Sequence, residues 1–328
     1  MKPNPAYSRI RLPEAPDLAS AAMETAVADT RMHPGLDLAA PAVSTAVVSP
    51  ASWSGVWGSA ARSQRLRGLL ELSSYVLPFV AVAGIYEALR GAIRHADVIH
   101  VADLLALEHR FFSISTTDGP RALSDLIAGN THPLLDLWCG MTYLLWVPQV
   151  FAMTAWLYVR ARPKALELAF GFLFVNLAGW AIWLLYPAAP PWYVDMYGTG
   201  AVVIDAPAST AGLARLDALL GVPITETIYS KSAYVFGAMP SLHVAYSTLV
   251  AGVVFPLAGR VRWVTLAVAL SMAFSAVYLR HHYLLDVVAG VALALPVIGL
   301  MAALVPRVAR ALGQPVFVAE PRSPGGAT

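Results

Sequence analysis

The sequence is poor in charged residues. Only 13% of its 328 residues are charged, whereas a soluble globular domain carries about 25%. This scarcity argues against an ordinary soluble domain, and the mean hydropathy of +0.61 indicates that lipid surrounds much of the chain. The formal net charge of +2 is too small to indicate a nucleic-acid partner.

The sequence also has a single cysteine, Cys139, inside an apolar run. One cysteine excludes an intramolecular disulfide and a cysteine-rich metal site. Residues 1–60 lack a long apolar run and are rich in Ala, Pro and Ser, so they show no signal peptide. We interpret residues 1–60 as a disordered N-terminal cytoplasmic tail and residues 311–328 as a C-terminal cytoplasmic tail.

The domain between the tails, residues 61–310, contains six stretches of predominantly apolar residues. Each is close to the roughly 20 residues that a helix needs to cross a bilayer. They cover residues 69–89, 135–159, 165–186, 241–257, 261–279 and 284–305. The sequence therefore predicts an all-α fold, a polytopic membrane helical bundle with six transmembrane helices.

The Lys and Arg residues near the span ends predict the orientation. On one side they are dense and lie in short segments: Arg62, Arg65, Arg67, Arg160, Arg162, Lys164, Arg260, Arg262, Arg307 and Arg310. On the other side they are spread over longer connections. We therefore expect an integral protein of the plasma membrane, with both termini in the cytoplasm and the active site facing outward.

The first outer loop, residues 90–134, has structure of its own. Apolar residues recur at helical spacing over residues 97–112, with charged residues between them. This pattern predicts an interfacial helix on the outer surface. A second short helix is expected over residues 121–128.

Two segments at the predicted outer face carry chemistry. One contains Pro240, Ser241 and His243, and the other contains His282 and Asp286. Residues four apart share one helix face, so Asp286 can orient the His282 ring and leave its other nitrogen as a nucleophile. Pro240 and Ser241 resemble a helix start, whose N–H groups bind phosphate. His243, one turn in, is placed to act as general acid and base.

Each of these features also has a purely structural interpretation. A histidine near a span end is often interfacial, a His and an Asp four residues apart form structural hydrogen bonds, and Pro-Ser is an ordinary helix cap. Their occurrence together on one side favours catalysis, because ionisable groups within spans are costly and usually functional.

The combination resembles the type 2 phosphatidic acid phosphatase (PAP2) superfamily, and within it the inositol phosphorylceramide synthase branch. Residues 186–193, 236–243 and 278–283 carry the resemblance. It implies His282 as nucleophile, Asp286 as its orienter, His243 as acid and base, and Ser241 as a phosphate ligand. We expect neither a cofactor nor a metal.

The cations of the phosphatase branch are missing from their usual places. Its Lys and Arg-Pro after the third span have no counterpart, since that loop offers only Arg215 and Lys231 at a different spacing, and Ala276 replaces an Arg. We expect Arg280 to supply part of this charge in substrate binding, with anchoring to lipid head groups as the alternative. Lys231 is also a candidate substrate-binding residue.

Three prolines in residues 186–193 cannot continue a helix. The third span should therefore end near Tyr186, and Trp192 should form a substrate-binding lip over the site. The alternative is a span terminator followed by interfacial aromatic residues. His281 should point about 100° away from His282 on a helix, which disfavours a metal site and makes His281 dispensable.

Three functions stay open. The first is a phosphotransferase that moves a phospho-alcohol, phosphoinositol by resemblance, between lipids through a phosphohistidine. The second is a lipid phosphatase with water as acceptor. The third is a proton-coupled transporter with His282 and Asp286 as relay, which the absence of internal repeats disfavours. The expected partners are membrane lipids, namely a phospholipid donor and, unless water is the acceptor, a lipid alcohol.

Overall fold

The computed structural model of the chain describes residues 50–90, 92, 98–117, 119–230 and 235–311. Within these ranges the protein is mostly helical, and one two-stranded hairpin is its only sheet. The predicted all-α fold is thus correct apart from this hairpin. Residues 1–49 and 312–328, which make up most of the two predicted tails, lie outside the described residues.

Helix α1, Pro50–Ala88, begins inside the segment that the sequence assigned to the disordered tail. Residues 50–60 are therefore helical. Proline is tolerated in the first turn, where a backbone N–H has no intrahelical partner. The first predicted span, residues 69–89, forms the second half of this helix.

Three helices are long and apolar enough to cross a membrane in the part of the chain that the structure describes. They are α6, Arg162–Leu185, α11, Val261–Tyr278, and α12, Leu284–Ala311. The pair α4, Pro133–Leu144, and α5, Pro148–Arg160, would make a fourth if it forms one broken span. The chain is thus a multi-pass membrane protein, and the number of six spans stays a prediction.

The second predicted span is not one continuous helix. Helices α4 and α5 meet at an angle of 56°. Pro148 explains the break, since it has no N–H to donate and its ring clashes with the preceding turn. The structure therefore corrects the prediction of an uninterrupted helix over residues 135–159.

Helix α10, Leu242–Val254, lies between α6, α11 and α12. Helix α12 packs against the start of α10 at Gly290. A Cβ added at this glycine would lie 2.4 Å from the carbonyl oxygen of Ser241, so the close approach requires a glycine. On the opposite side, a Cβ at Gly171 of α6 would lie 2.8 Å from Leu249. Gly290 and Gly171 thus allow α12 and α6 to pack closely against α10.

The connection between α1 and α4 contains α2, Ala102–Phe112, the antiparallel strands β1, Ser113–Thr116, and β2, Gly119–Ala122, and α3, Leu123–Gly129. Both predicted short helices are present, although the hairpin between them was not predicted. Helix α2 buries Leu104 and Glu108 and exposes Phe111. Residues 104 and 108 lie one turn apart, so α2 packs one face inward, and that face includes a glutamate as well as a leucine.

The proline-rich segment after α6 pairs through its backbone with two other parts of the chain. Helix α6 ends at Leu185, as predicted, and α7, Pro191–Tyr197, starts again at a proline. Between them, Ala188 forms parallel bridges with His100 and with Gly237. Helices α8, Ala214–Leu220, and α9, Ile224–Tyr229, complete this connection. The segment thus supports the backbone that leads into α10.

Candidate active site

A cavity of about 490 Å³ extends between α1, α6 and the start of α10. His243, His281 and His282 line it together with the polar residues Asn176 and Ser209, and most of its other lining residues are apolar or aromatic. The described residues that line it include no Lys or Arg. The two predicted motifs therefore share one cavity.

Ser241 caps helix α10. Its side-chain oxygen accepts from the N–H of Val244 at 3.5 Å, and its own N–H donates to the carbonyl oxygen of Asp286 at 3.0 Å. The predicted helix start at this position is confirmed. Because the side chain is fully buried and its oxygen serves the cap, a direct role of Ser241 in phosphate binding stays a prediction.

The imidazole of His282 is oriented by a backbone carbonyl. Its Nδ1 lies 2.9 Å from the carbonyl oxygen of Ala238. A carbonyl can only accept, so Nδ1 carries the proton and Nε2 keeps a lone pair. The carboxylate of Asp286 is farther away, with Oδ2 3.6 Å from Nδ1. This corrects the predicted geometry, because α12 begins at Leu284 and His282 precedes the helix.

Two buried carboxylates occupy the start of α12. Asp286 Oδ2 accepts from the N–H of Tyr283 at 2.8 Å. Glu108 reaches over from α2 and accepts from the N–H groups of Leu284 and Leu285 at 3.2 and 3.0 Å. Negative charge is favourable at a helix N-terminus, so both groups stabilise the turn that carries His282. Sequence reasoning missed Glu108, since α2 is distant from α12 in sequence and Glu108 belongs to no motif.

His243 faces His282 across the cavity, with 5.6 Å between the ring centroids. Tyr143 stacks on His243 at 4.3 Å with an interplanar angle of 13°, and Trp146 packs at 4.8 Å. The Nε2 atom of His243 is buried and has no hydrogen-bond partner among the described residues. One nitrogen in this site is therefore available for a ligand.

His281 lies in the same cavity wall, contrary to the prediction that it points away. Its Nε2 is 3.1 Å from the carbonyl oxygen of Thr210, and its ring stacks on Tyr143 at 4.9 Å. Burial, followed by the nearby His282, lowers the pKa of His281 to about 3, so it is neutral at physiological pH. The 100° rotation per residue does not apply here, because residues 280–283 are not helical.

The PAP2 superfamily profile matches residues 116–300, more than half of the chain, and this range includes His243, His282 and Asp286. The chain is also 36% identical over 231 residues to phosphoinositol dihydroceramide synthase of Bacteroides thetaiotaomicron, covering 69% of this chain and 75% of that protein. The chain belongs to the PAP2 superfamily. It is an enzyme that acts on lipid phosphates.

Two yeast relatives match over shorter stretches. Inositol phosphorylceramide synthase catalytic subunit aur1 of Schizosaccharomyces pombe is 36% identical over 181 residues, covering 53% of this chain and 42% of that one. Inositolphosphotransferase 1 of Saccharomyces cerevisiae is 32% identical over 147 residues, covering 43% of this chain and 26% of that one. The matches therefore span less than half of each yeast protein.

Among solved structures, LpxE of Aquifex aeolicus superposes with a TM-score of 0.41 at 15% identity, covering 55% of this chain and 93% of the other. Membership in the PAP2 superfamily therefore rests on the sequence matches.

Arg280 is held by two carboxylates and is not part of the lining of the histidine cavity. Its guanidinium forms ion pairs with Asp125 of α3, at 2.6 Å, and with Asp195 of α7. Burial disfavours its charge, but the two carboxylates outweigh burial and raise the pKa of Arg280. It lines a separate depression beside α2 and α3. These ion pairs join the connections that contain α3 and α7, and the expected role of Arg280 in substrate binding stays a prediction.

Trp192 lines the cavity and is buried. Its backbone N–H donates to the carbonyl oxygen of Arg280 at 3.1 Å. This position is compatible with the predicted lip, and its role in substrate binding stays a prediction. Lys231 lies outside the described residues. Its role in substrate binding stays a prediction.

Proposed function

We propose that this PAP2 enzyme transfers a phospho-alcohol head group, phosphoinositol in the first instance, between membrane lipids through a phosphohistidine at His282. The observation that carries the proposal is the fixed tautomer of His282, whose Nδ1–H is directed at the Ala238 carbonyl. Its Nε2 lone pair then faces the cavity that also holds His243.

In the first step, His282 Nε2 attacks the phosphorus of the donor and forms an N–P bond. The P–O bond to the lipid alcohol breaks, and protonated His243 donates its proton to the departing alkoxide. The donor thus leaves as a neutral lipid alcohol. The positive charge on the phosphorylated ring is stabilised by Asp286, whose Oδ2 lies 3.6 Å from Nδ1.

In the second step, His243 removes the proton from the hydroxyl of the acceptor. The acceptor oxygen attacks phosphorus, the N–P bond breaks, and His282 regains its lone pair. His243 is protonated again, so both histidines return to their starting states. One acid–base group therefore serves both halves of the reaction.

The shape of the cavity supports a lipid substrate. On α6 its lining runs from Phe172 through Asn176 and Trp180 to Trp183, a distance of about 16 Å at 1.5 Å per residue. Facing it are Phe79 and Tyr86 of α1. This apolar wall suits an alkyl chain attached to a head group near the histidines.

The charge of the cavity favours transfer over phosphate-monoester hydrolysis. A phosphodiester carries one negative charge, whereas a monoester carries up to two. The described lining contains no Lys or Arg, so a singly charged diester is the better match. Relatives named as synthases and as an inositolphosphotransferase agree with this assignment.

The proposed topology has six spans in the plasma membrane, with α1 as the first, the bent pair α4–α5 as the second and α10 as the fourth. The histidines then lie at the outer ends of α10 and α12. Both termini are cytoplasmic in this arrangement.

The purified protein should be incubated in detergent with phospholipids that carry labelled head groups, together with a lipid alcohol such as ceramide. We expect label to move from phosphatidylinositol to the acceptor lipid with little water-soluble release. Release of free phosphate from a lipid phosphomonoester, without exchange between lipids, would instead identify a phosphatase. Label trapped on a histidine in the absence of acceptor tests the covalent step.

A further inference from the structure

Three buried polar atoms without partners belong to residues that line the cavity. They are the hydroxyls of Tyr143 and Tyr229 and the Nε2 atom of His243; none makes a well-formed hydrogen bond with a described residue, although the two phenols are close enough to interact with each other. An unpaired buried polar group costs roughly 1–3 kcal/mol, so isolated cases need a reason. Three in one cavity mark a place where a polar ligand would gain hydrogen bonds.

Tyr143 is placed against both histidine motifs. It is fully buried on α4, and its ring is nearly parallel to those of His243 and His281, at 4.3 and 4.9 Å. These ring contacts hold the phenol in the cavity wall. Its hydroxyl then has two available partners, a molecule in the cavity and the nearby Tyr229.

Tyr229 approaches the same position from α9, in the long connection before α10. Its ring packs at 5.0 Å from His281. Burial raises the pKa of Tyr229 above its ordinary value, while the nearby Tyr143 has the opposite, smaller effect. The Tyr229 phenol thus keeps its proton at physiological pH and can donate a hydrogen bond.

We propose that Tyr143 and Tyr229 bind the phosphodiester oxygens of the substrate, in a cavity whose described lining contains no Lys or Arg side chain. This inference rests on the proposed function. Two phenols supply two O–H donors and no positive charge. They therefore suit a singly charged phosphodiester better than a doubly charged phosphomonoester, which makes them specificity-determining residues.

The test removes one hydroxyl at a time, in Tyr143→Phe, Tyr229→Phe and the double variant. Tyr197→Phe is the matched control, since it deletes the same atom from a residue of α7 outside the cavity lining. Binding of orthovanadate, a mimic of the phosphoryl group, is followed by tryptophan fluorescence, because Trp146, Trp183 and Trp192 line the cavity. The kcat/KM for a nitrophenyl phosphodiester is measured in parallel.

We expect each single variant to weaken vanadate binding about tenfold and to lower kcat/KM by a similar factor, as for loss of a hydrogen bond to a charged group. The double variant should lose more than either single one, and Tyr197→Phe should match the wild type. Unchanged vanadate affinity in both single variants overturns the inference. So does a lowered melting temperature at unchanged affinity, which would mean that the two phenols only bond to each other.

The binding assay does not depend on turnover. If the wild-type protein binds vanadate and the variants do not, the inference stands even where no head-group exchange is found. If exchange is found and the variants bind vanadate normally, the proposed function stands and the tyrosines have another role.

Discussion

At the scale of single residues, the two histidines differ in what holds them. The His282 ring is fixed by the Ala238 carbonyl at 2.9 Å, whereas His243 is held by aromatic stacking and keeps an unpaired Nε2. A nucleophile needs a fixed direction of attack, while a proton carrier needs a free nitrogen. The difference therefore agrees with the roles proposed for them.

Substitution of the two histidines should have unequal effects. We expect His282→Ala to abolish both turnover and covalent labelling with a nitrophenyl phosphodiester. His243→Ala should retain measurable activity with this substrate, because its good leaving group needs no proton. Asp286→Asn should be intermediate, since it keeps the shape but loses the charge. Recovery of labelled phosphate on His243 would reverse the assignment.

Local sequence pattern was sufficient to single out His243, His282 and Asp286, which lie near one another in the structure and whose catalytic roles stay predictions. It was not sufficient for His281, whose direction depends on a turn between two helices, or for Arg280, whose partners lie 85 and 155 residues away. Glu108 was missed for the same reason, since its partner Leu284 in α12 lies 176 residues away in sequence. Pairings across long sequence separations leave no local pattern.

At the scale of elements, the site depends on how closely α12 approaches α10. Replacing Gly290 by Ala would place a Cβ 2.4 Å from the Ser241 carbonyl oxygen, a backbone atom that cannot move alone. We expect Gly290→Ala to separate the two motifs, lower activity at least tenfold and destabilise the protein by about 1–3 kcal/mol, as overpacking does.

The matched control is Gly299→Ala on the same helix, where a new Cβ meets nothing within 4 Å. Its activity and melting temperature should equal those of the wild type. Equal behaviour of the two variants would show that the contact between α10 and α12 does not position the site.

Elements with a continuous apolar pattern were predictable, which is why α6, α11 and α12 agree with the predicted spans within a few residues. The break before Pro148 and the restart of a helix at Pro191 could not be predicted. A proline is found both where a helix ends and in the first turn of a new helix, so its presence alone does not distinguish the two cases. The hairpin β1–β2 was missed, since its strands have only four residues each.

At the scale of the whole molecule, the proposed orientation can be tested with two cysteines. In a Cys139→Ala background, a cysteine at Gly198 should react with a membrane-impermeant maleimide on intact cells. A cysteine at Gly259 should react only after permeabilisation. Both glycines have positive φ and open surroundings, so the strain of substitution is matched. The opposite pattern would place the site in the cytoplasm.

A cavity wall without Lys or Arg, within the part of the chain that the structure describes, also bears on how substrate arrives. Cationic sites draw anions from solution over a Debye length of about 8 Å at physiological ionic strength, and added salt weakens them. An uncharged, aromatic wall does not attract anions from solution in this way. Capture of the donor then depends on its mole fraction among the surrounding lipids, and the rate should follow surface dilution with inert lipid while changing little with ionic strength.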